Sequence, residues 1–131
     1  MSGKTIDIEQ LLMLHALVLA NTGGGDGIRD MGRLEAAIAT QSQEVFGTEL
    51  YASVYEKSAA MVRGIIADHP FVDGNKRTAM LAGLTLLKIN GIAVGMSNSQ
   101  VEDFAVRVAV EHLSVDDIAA WLELHSKSNK G

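Results

Sequence analysis

Pro70, the only proline of the chain, lies between two long apolar segments whose spacing is helical. The residue before a proline is disfavoured in helical geometry, so a helix that opens at Ser53 is expected to end just before His69. A second helix is predicted from about Asn75 to Ile89, because an Asn-Gly pair follows it at positions 90 and 91. Apolar residues surround most of this second helix, which predicts that it is central and buried.

The composition favours an all-α fold. Hydrophobic residues make up 47% of the 131 residues but aromatic residues only 5%, so the core must come from Leu, Ile, Val, Ala and Met. That mixture favours helices over sheets. A chain of this length can bury a core without disulfides, and no repeat or linker divides it. We therefore expect residues 1–131 to form a single helical-bundle domain.

Four further helices are expected where a capping residue precedes an apolar pattern. The expected caps are Asp7 with Gln10, Asp30, Ser99 with Glu102, and Ser114 with Asp117. Between positions 43 and 51 the helical periodicity fails, and residues 44–50 are compatible with either a loop or a short hairpin. The polar tail of residues 126–131 is expected to be frayed.

Charge, cysteine content and hydropathy argue against several classes of function. The net charge of −5 disfavours a surface that binds nucleic acid as a whole. The absence of cysteine excludes disulfides and thiolate metal sites. The apolar residues 11–20 are too few to span a bilayer, and the N-terminus lacks the pattern of a signal peptide. We expect a cytoplasmic protein without a nucleic-acid or membrane partner.

The nine residues 69–77 concentrate polar chemistry in the turn between the two central helices. They contain one histidine, one carboxylate, a Gly-Asn pair and two cations. The first amides of a helix lack intrahelical partners and lie at the positive end of its dipole, where Lys76 and Arg77 are each disfavoured by about 0.3–1 kcal/mol. A bound phosphate would offset that cost, because free amides, the small Gly74 and a guanidinium suit its oxygens.

Two further side chains indicate what such a site would do with a phosphate. Asp73 is a hard oxygen ligand suited to Mg²⁺, which usually takes one or two carboxylates together with phosphate oxygens. A histidine titrates near neutrality, so His69 is suited to act as a general base. The combination predicts phosphoryl or nucleotidyl transfer to an incoming hydroxyl.

Each of these residues also has a purely structural interpretation. Asp73 or Asn75 could cap the helix, and His69 could satisfy a turn carbonyl. The two cations could pair with Asp68 and Asp73 on a solvated surface. The concentration of all of them within nine positions favours a site.

Two residues outside the turn are given structural roles. His15 lies on an apolar helical face and is predicted to be packed in the core. Arg29 belongs to residues 27–30, which are predicted to form a turn and a helix start; the alternative is that its side chain reaches the pocket. No pair of histidines has the spacing and the nearby carboxylate typical of a zinc site.

The run HPFVDGNKRT, residues 69–78, resembles the signature of the Fic/Doc family, and specifically of its death-on-curing (Doc-type) branch. Further similar segments are GIRDMGRLEAAI (27–38), LYASVYEKSAAMVRGIIADHPF (50–71) and AAWLELH (119–125). The resemblance covers nearly the whole chain and implies an all-α Fic fold. It puts residues 44–50 at the place of the family's flap, a strand-like edge that can align a target segment.

The resemblance also implies roles for individual residues of the turn. His69 matches the catalytic histidine, which engages the hydroxyl of a protein substrate. Asp73 matches the residue that binds the Mg²⁺ of the nucleotide. Gly74 and Asn75 match the start of the anion hole that receives the phosphates of ATP, and Arg77 matches the arginine that clamps them.

Lys76 departs from the commoner family pattern, which has glycine at this position. In adenylyl-transferring members that glycine leaves room for a phosphate, whereas a lysine fills the room and adds charge, as in the Doc-type toxins. The resemblance therefore implies a toxin-like kinase that moves the terminal phosphate of ATP to a hydroxyl of a cytoplasmic protein, with a translation elongation factor as the expected target. It also implies an antitoxin that covers the active site. Adenylyl transfer and a catalytically idle binding module are the alternatives.

Overall fold

Helices dominate the structure, a computed structural model that describes residues 3–126. Within that range there are six α-helices, one 3₁₀ turn and one two-stranded hairpin, which confirms the predicted all-α class. In chain order these elements are α1 (Ile8–Thr22), α2 (Met31–Ala39), the 3₁₀ turn (Thr40–Ser42), β1 (Glu44–Val45), β2 (Thr48–Glu49), α3 (Val54–Asp68), α4 (Asn75–Ile89), α5 (Asn98–Glu111) and α6 (Val115–Ser126).

α4 is the central helix, as predicted, and it has the predicted bounds. It packs against α1, α3 and α5. The contact with α3 is especially close: Ser58 Oγ donates a hydrogen bond of 2.9 Å to the Gly83 carbonyl. A Cβ on Gly83 would lie only 2.5 Å from Cγ2 of Val62. The turn that precedes α4 is therefore attached to a tightly packed helix.

Replacing Gly83 with alanine is expected to destabilise the fold by about 1–3 kcal/mol, the usual cost of overpacking a core. The new methyl group would collide with Val62, whose branched side chain is stiff, and with Ser58 Oγ at 2.9 Å. This penalty opposes the gain of about 1 kcal/mol that alanine brings in helix propensity. The midpoint of urea unfolding measures the balance.

Gly64 provides the matched control for that substitution. It lies in α3, and a Cβ there would be 3.8 Å from the Cβ of Ala37, an ordinary contact distance. Gly64→Ala is therefore expected to be neutral or stabilising by up to about 1 kcal/mol. Equal shifts of the unfolding midpoint in the two variants would contradict the close packing of α3 on α4.

Capping residues begin most helices where the sequence predicts. Asp7 and Gln10 form a reciprocal capping box at α1. The side chain of Asp30 caps α2, and that of Ser53 caps α3. Ser114 Oγ accepts a hydrogen bond at the start of α6. These caps satisfy amides that the helices cannot satisfy themselves.

The predicted start of α5 is wrong by two residues. The capping box is formed by Ser97 with Gln100, not by Ser99 with Glu102. Both pairs fit the same Ser-x-x-Glu/Gln pattern, so the pattern does not choose between them. In the structure the Glu102 carboxylate is used in an ion pair with Arg77.

Residues 44–49 form a short hairpin. β1 and β2 pair in antiparallel register, and Phe46 and Gly47 at the tip both have positive φ, as a type I′ turn requires. The hairpin is held by Lys57, a buried residue near the start of α3. Its ammonium donates to the Glu49 carboxylate and, over 3.0 Å, to the Gln41 carbonyl.

The C-terminal helix continues into the predicted tail by one residue. Ser126 is buried at the end of α6, where its hydroxyl lies 2.8 Å from that of Tyr55. Residues 127–131, the rest of the predicted tail, lie outside the described residues.

Candidate active site

A cavity of about 420 Å³ opens at the N-terminus of α4. Its walls come from the end of α1, the glycine-rich loop that follows it, and the turn between α3 and α4. The lining residues are Thr22, Gly23, Gly24, His69, Val72, Asp73, Gly74, Asn75, Lys76 and Arg77. All of the residues that the sequence singles out in residues 69–77 as candidate site residues line this one cavity.

The N-terminus of α4 faces the cavity without a side-chain cap. Gly74 occupies the N-cap position with φ +79°, a left-handed conformation that glycine adopts without strain. The Thr78 amide donates to the Gly74 carbonyl over 2.9 Å. The amides of residues 75–77 precede that bond and have no intrahelical acceptor. Because the side chains of Lys76 and Arg77 are exposed at this same end, positive charge accumulates there.

Asn75 contributes to the cavity in a way that the sequence does not reveal. Its side chain is buried. Its Oδ1 accepts a hydrogen bond from the Phe71 amide and its Nδ2 donates to the Phe71 carbonyl, both at 3.0 Å. With both ends of the side-chain amide engaged, Asn75 braces the turn. Its backbone N–H is the group that remains for a ligand.

His69 is exposed at the C-cap of α3, directly before Pro70. Its backbone is left-handed, with φ 49° and ψ 61°, and its amide donates to the Ile65 carbonyl over 3.1 Å. Such a conformation costs a non-glycine residue of the order of 1 kcal/mol and is a common way for a helix to end. The helix end before Pro70 is as predicted, but the left-handed cap was not.

Arg29 holds the backbone of this turn, a role that sequence reasoning missed. Its guanidinium donates to the carbonyls of His69, over 2.6 Å, and Asp68, over 2.5 Å. The backbone amides of Arg29 and Asp30 both donate to the Pro70 carbonyl. A cation at the C-terminus of α3 satisfies carbonyls that have no helical partner. Nothing in residues 27–30 indicates a partner about forty positions away.

The glycine-rich loop, residues 23–27, supports Asp73. The Gly25 amide donates to Asp73 Oδ2 over 2.8 Å, and the Val72 amide donates to the Gly27 carbonyl over 3.1 Å. A Cβ on Gly25 would lie 3.2 Å from Val72 Cγ1 and 3.3 Å from Asp73 Oδ2. A side chain at this position would have to displace Val72 or Asp73 by a few tenths of an ångström, so glycine favours the close approach of the loop. The hydrogen bond to Oδ2 orients the carboxylate, and Oδ1 is left as a second oxygen that could bind a metal ion.

His15 is packed in the core, as predicted, but it also reaches the turn. Its imidazole is 4% exposed and stacks on the ring of Phe71 with 3.8 Å between centroids. Nε2 lies 2.8 Å from the Asp73 carbonyl oxygen. The sequence held one signal of this contact: His15 is a polar side chain on an apolar helical face, and a buried polar group usually has a hydrogen-bond partner.

The cations of the site do not form the surface pairs considered for them. Asp68 pairs with Arg33, at 3.2 Å, and Arg77 pairs with Glu102 of α5, at 3.3 Å. The side chains of Arg77 and Glu102 are about half exposed. Their pairing is thus of the weak, solvent-screened kind that a stronger anion can replace.

The sequence of this chain matches a family model and two named relatives. The family model described as Fic/DOC matches residues 5–87, which include α1, the glycine-rich loop, the turn and most of α4. The chain belongs to the Fic/DOC family. This Fic/DOC chain is 39% identical over 119 residues to a protein named Toxin Doc from Mycolicibacterium smegmatis, an alignment that covers 89% of each chain. It is 33% identical over 119 residues to Protein kinase doc of Escherichia phage P1, covering 91% of this chain and 93% of that protein.

Membership of the Fic/DOC family confirms the resemblance that the run of residues 69–78 suggested. Within residues 3–126 no group of three or more His, Asp or Glu side chains is arranged to hold a metal ion. Asp73 is thus a single carboxylate, which suits Mg²⁺ only when phosphate oxygens supply further ligands. None of the helices from α1 to α6 is long and apolar enough to cross a membrane.

Proposed function

We propose that this Fic/DOC protein is a Doc-type kinase that transfers the terminal phosphoryl group of ATP to a hydroxyl of another protein. The observation that carries the proposal is the shared cavity, which joins an uncapped helix N-terminus and two cations to Asp73 and His69. The name of the phage P1 relative, Protein kinase doc, supports the same chemistry.

The residues present fit Mg·ATP. The cavity volume of about 420 Å³ lies in the range typical of small-molecule sites. The amides of residues 75–77 and the guanidinium of Arg77 are suited to phosphate oxygens, and Lys76 adds charge at the mouth. Asp73 would hold Mg²⁺ through Oδ1, since Oδ2 is engaged by Gly25. When bound, ATP supplies the phosphoryl group and Mg²⁺ neutralises its charge.

The proposed reaction is a displacement at the terminal phosphorus of ATP. His69 accepts the proton of the target hydroxyl and later releases it to solvent. The hydroxyl oxygen forms a bond to the phosphorus, while the bond from phosphorus to the bridging oxygen breaks and ADP leaves with its electron pair. The protein contributes position and positive charge, which carry most of the catalysis in phosphoryl transfer.

The direction of transfer is tested with ATP labelled in its α- or γ-phosphate. The proposed kinase labels a target protein only from γ-labelled ATP. Label transferred from the α position would instead identify an adenylyltransferase that binds ATP in the opposite sense.

Lys76→Gly is expected to reduce γ-label transfer by about tenfold or more, because it removes a cation from the phosphate site and opens space beside Gly74. Transfer of α-label, if it emerges in this variant, would identify Lys76 as the residue that selects the orientation. Lys88→Gly, at the other end of α4, controls for the loss of helix propensity. Unchanged γ-transfer in Lys76→Gly would remove this basis for preferring a kinase.

We further propose that the protein acts in the cytoplasm as a toxin, with a translation elongation factor as its target and an antitoxin as its partner. The name of the mycobacterial relative, Toxin Doc, supports the toxin assignment. An antitoxin segment that folds over the cavity would block access to His69 and Arg77.

The hairpin is proposed to align the target. Its anchor, Lys57, lies twelve residues before His69, which corresponds to about 18 Å along the helix axis. An extended segment advances about 3.3 Å per residue, so a strand paired with β1 or β2 near this anchor needs about five further residues to reach the cavity. Recognition would then involve the chain around the modified residue.

A further inference from the structure

We propose that His15 is a positioning residue for the phosphate site. It fixes the peptide between Asp73 and Gly74, the point at which the turn becomes α4. The inference rests on the proposed function in one respect, namely that the amides at the start of α4 bind the phosphates of ATP. It adds a residue of α1, outside the run of residues 69–77, to the binding machinery.

The hydrogen bond from His15 determines the plane of a peptide. A carbonyl oxygen can only accept, so Nε2 donates to the Asp73 carbonyl across 2.8 Å. The Asp73 carbonyl and the Gly74 amide belong to one planar peptide unit. Holding the carbonyl therefore fixes the direction from which Gly74, at φ +79°, turns the chain into α4. The orientation of the N–H groups of residues 75–77 depends on that direction.

A second contact holds the other side of the turn. The His15 ring stacks on Phe71 with an angle of 8° between the planes. Phe71 is fully buried, and its amide and carbonyl are both bonded to the Asn75 side chain. A Cβ on Gly74 would lie 3.7 Å from His15 Cδ2, so the imidazole lies directly against the N-cap of α4. His15 thus contacts the turn at Phe71 and again at the peptide that leads into α4.

Filling space in the core does not require an imidazole. An apolar ring would occupy the same site without the desolvation cost of burying a polar group. What the imidazole adds is an N–H group that donates a hydrogen bond to the Asp73 carbonyl. A space-filling role predicts that substitution changes stability alone, whereas a positioning role predicts a loss of nucleotide affinity at preserved fold.

Two variants separate the hydrogen bond from the shape of the side chain. His15→Gln retains an N–H donor at nearly the position of Nε2, and His15→Met has similar length without a donor. Both lose the ring stacked on Phe71. In calorimetric titration with Mg·ATP, we expect His15→Met to bind about tenfold more weakly than His15→Gln, as the loss of one buried hydrogen bond implies.

Leu11→Ala serves as the control for destabilisation. Leu11 is fully buried on α1, one turn before His15. The variant should lower the unfolding midpoint by more than either His15 variant, because it leaves a cavity in the core. Its affinity for Mg·ATP should stay at the wild-type value.

Amide resonances of the nucleotide-free protein give a readout that does not depend on ATP. In His15→Met, but not in Leu11→Ala, the amide signals of residues 74–78 should shift, and hydrogen exchange of the Thr78 amide should accelerate.

Equal resonances in His15→Gln and His15→Met, or equal affinities for Mg·ATP, would overturn the positioning role. Failure of the wild-type protein to bind Mg·ATP would instead overturn the proposed function, and the amide resonances would still decide the role of His15.

Discussion

Replacing His69 with asparagine is expected to abolish transfer of the γ-phosphoryl group while leaving the fold intact. Loss of a positioned general base lowers rates by about 10²–10⁴-fold. Asparagine tolerates the left-handed backbone of this C-cap, at φ 49°, better than most residues. His69 is exposed, so little packing is lost. Labelling of target protein from γ-labelled ATP, together with growth after expression of the variant, measures the effect.

His112 offers a matched control for this substitution. It is also an exposed histidine at a helix C-cap, with φ 52° and an amide that donates to the Val108 carbonyl, but it does not line the phosphate cavity. His112→Asn should therefore retain transfer. If His69→Asn kept both the labelling activity and the growth arrest, the catalytic role would be wrong. If it lost labelling but kept the growth arrest, the protein would act in the cell as a binding module.

Arg77→Ala is expected to weaken Mg·ATP binding by about 10- to 100-fold, the usual loss for a charge-assisted hydrogen bond to phosphate. The free energy of unfolding should hardly change. The partner of Arg77 in the structure, Glu102, forms an ion pair in which both side chains are about half exposed. Pairs of this kind contribute about 0–1 kcal/mol. Calorimetric titration and urea unfolding measure the two quantities separately.

Glu102→Gln distinguishes a phosphate ligand from a structural arginine. It breaks the same ion pair but leaves the guanidinium in place, free to bind phosphate. We expect Glu102→Gln to bind Mg·ATP at least as tightly as the wild-type protein. An equal loss of affinity in Glu102→Gln and Arg77→Ala would show that Arg77 acts by holding α5, and would count against its role in the phosphate site.

Much of the fold was predictable because its signals are local in the chain. Pro70 disfavours helical geometry at His69, and the Asn-Gly pair at positions 90 and 91 ends α4, so the bounds of both central helices follow from neighbouring residues. The one clear error, the start of α5, arose where two overlapping Ser-x-x-Glu/Gln patterns competed. Local sequence cannot rank two caps of similar strength.

The sequence predicted which residues of the turn line the cavity, but not how their side chains are oriented and held. Residues 69–77 are adjacent in the chain, and a turn before a helix necessarily brings them to one helix end. The orientation of their side chains is a different matter. The Asn75 side chain is hydrogen-bonded to the backbone of Phe71 and does not offer its amide to a ligand in the cavity. Arg77 pairs with Glu102, twenty-five positions away.

The sequence alone therefore determined the helical class, the central helix and the run of residues that line the cavity, since periodicity, capping and turn chemistry act over a few positions. Only the tertiary structure decided how that run is held. Its supports come from α1 and the segment after it: His15 on the Asp73 carbonyl, Gly25 on the Asp73 carboxylate and Arg29 on the His69 carbonyl. These bonds join residues forty or more positions apart, and such pairs become neighbours only when the helices pack.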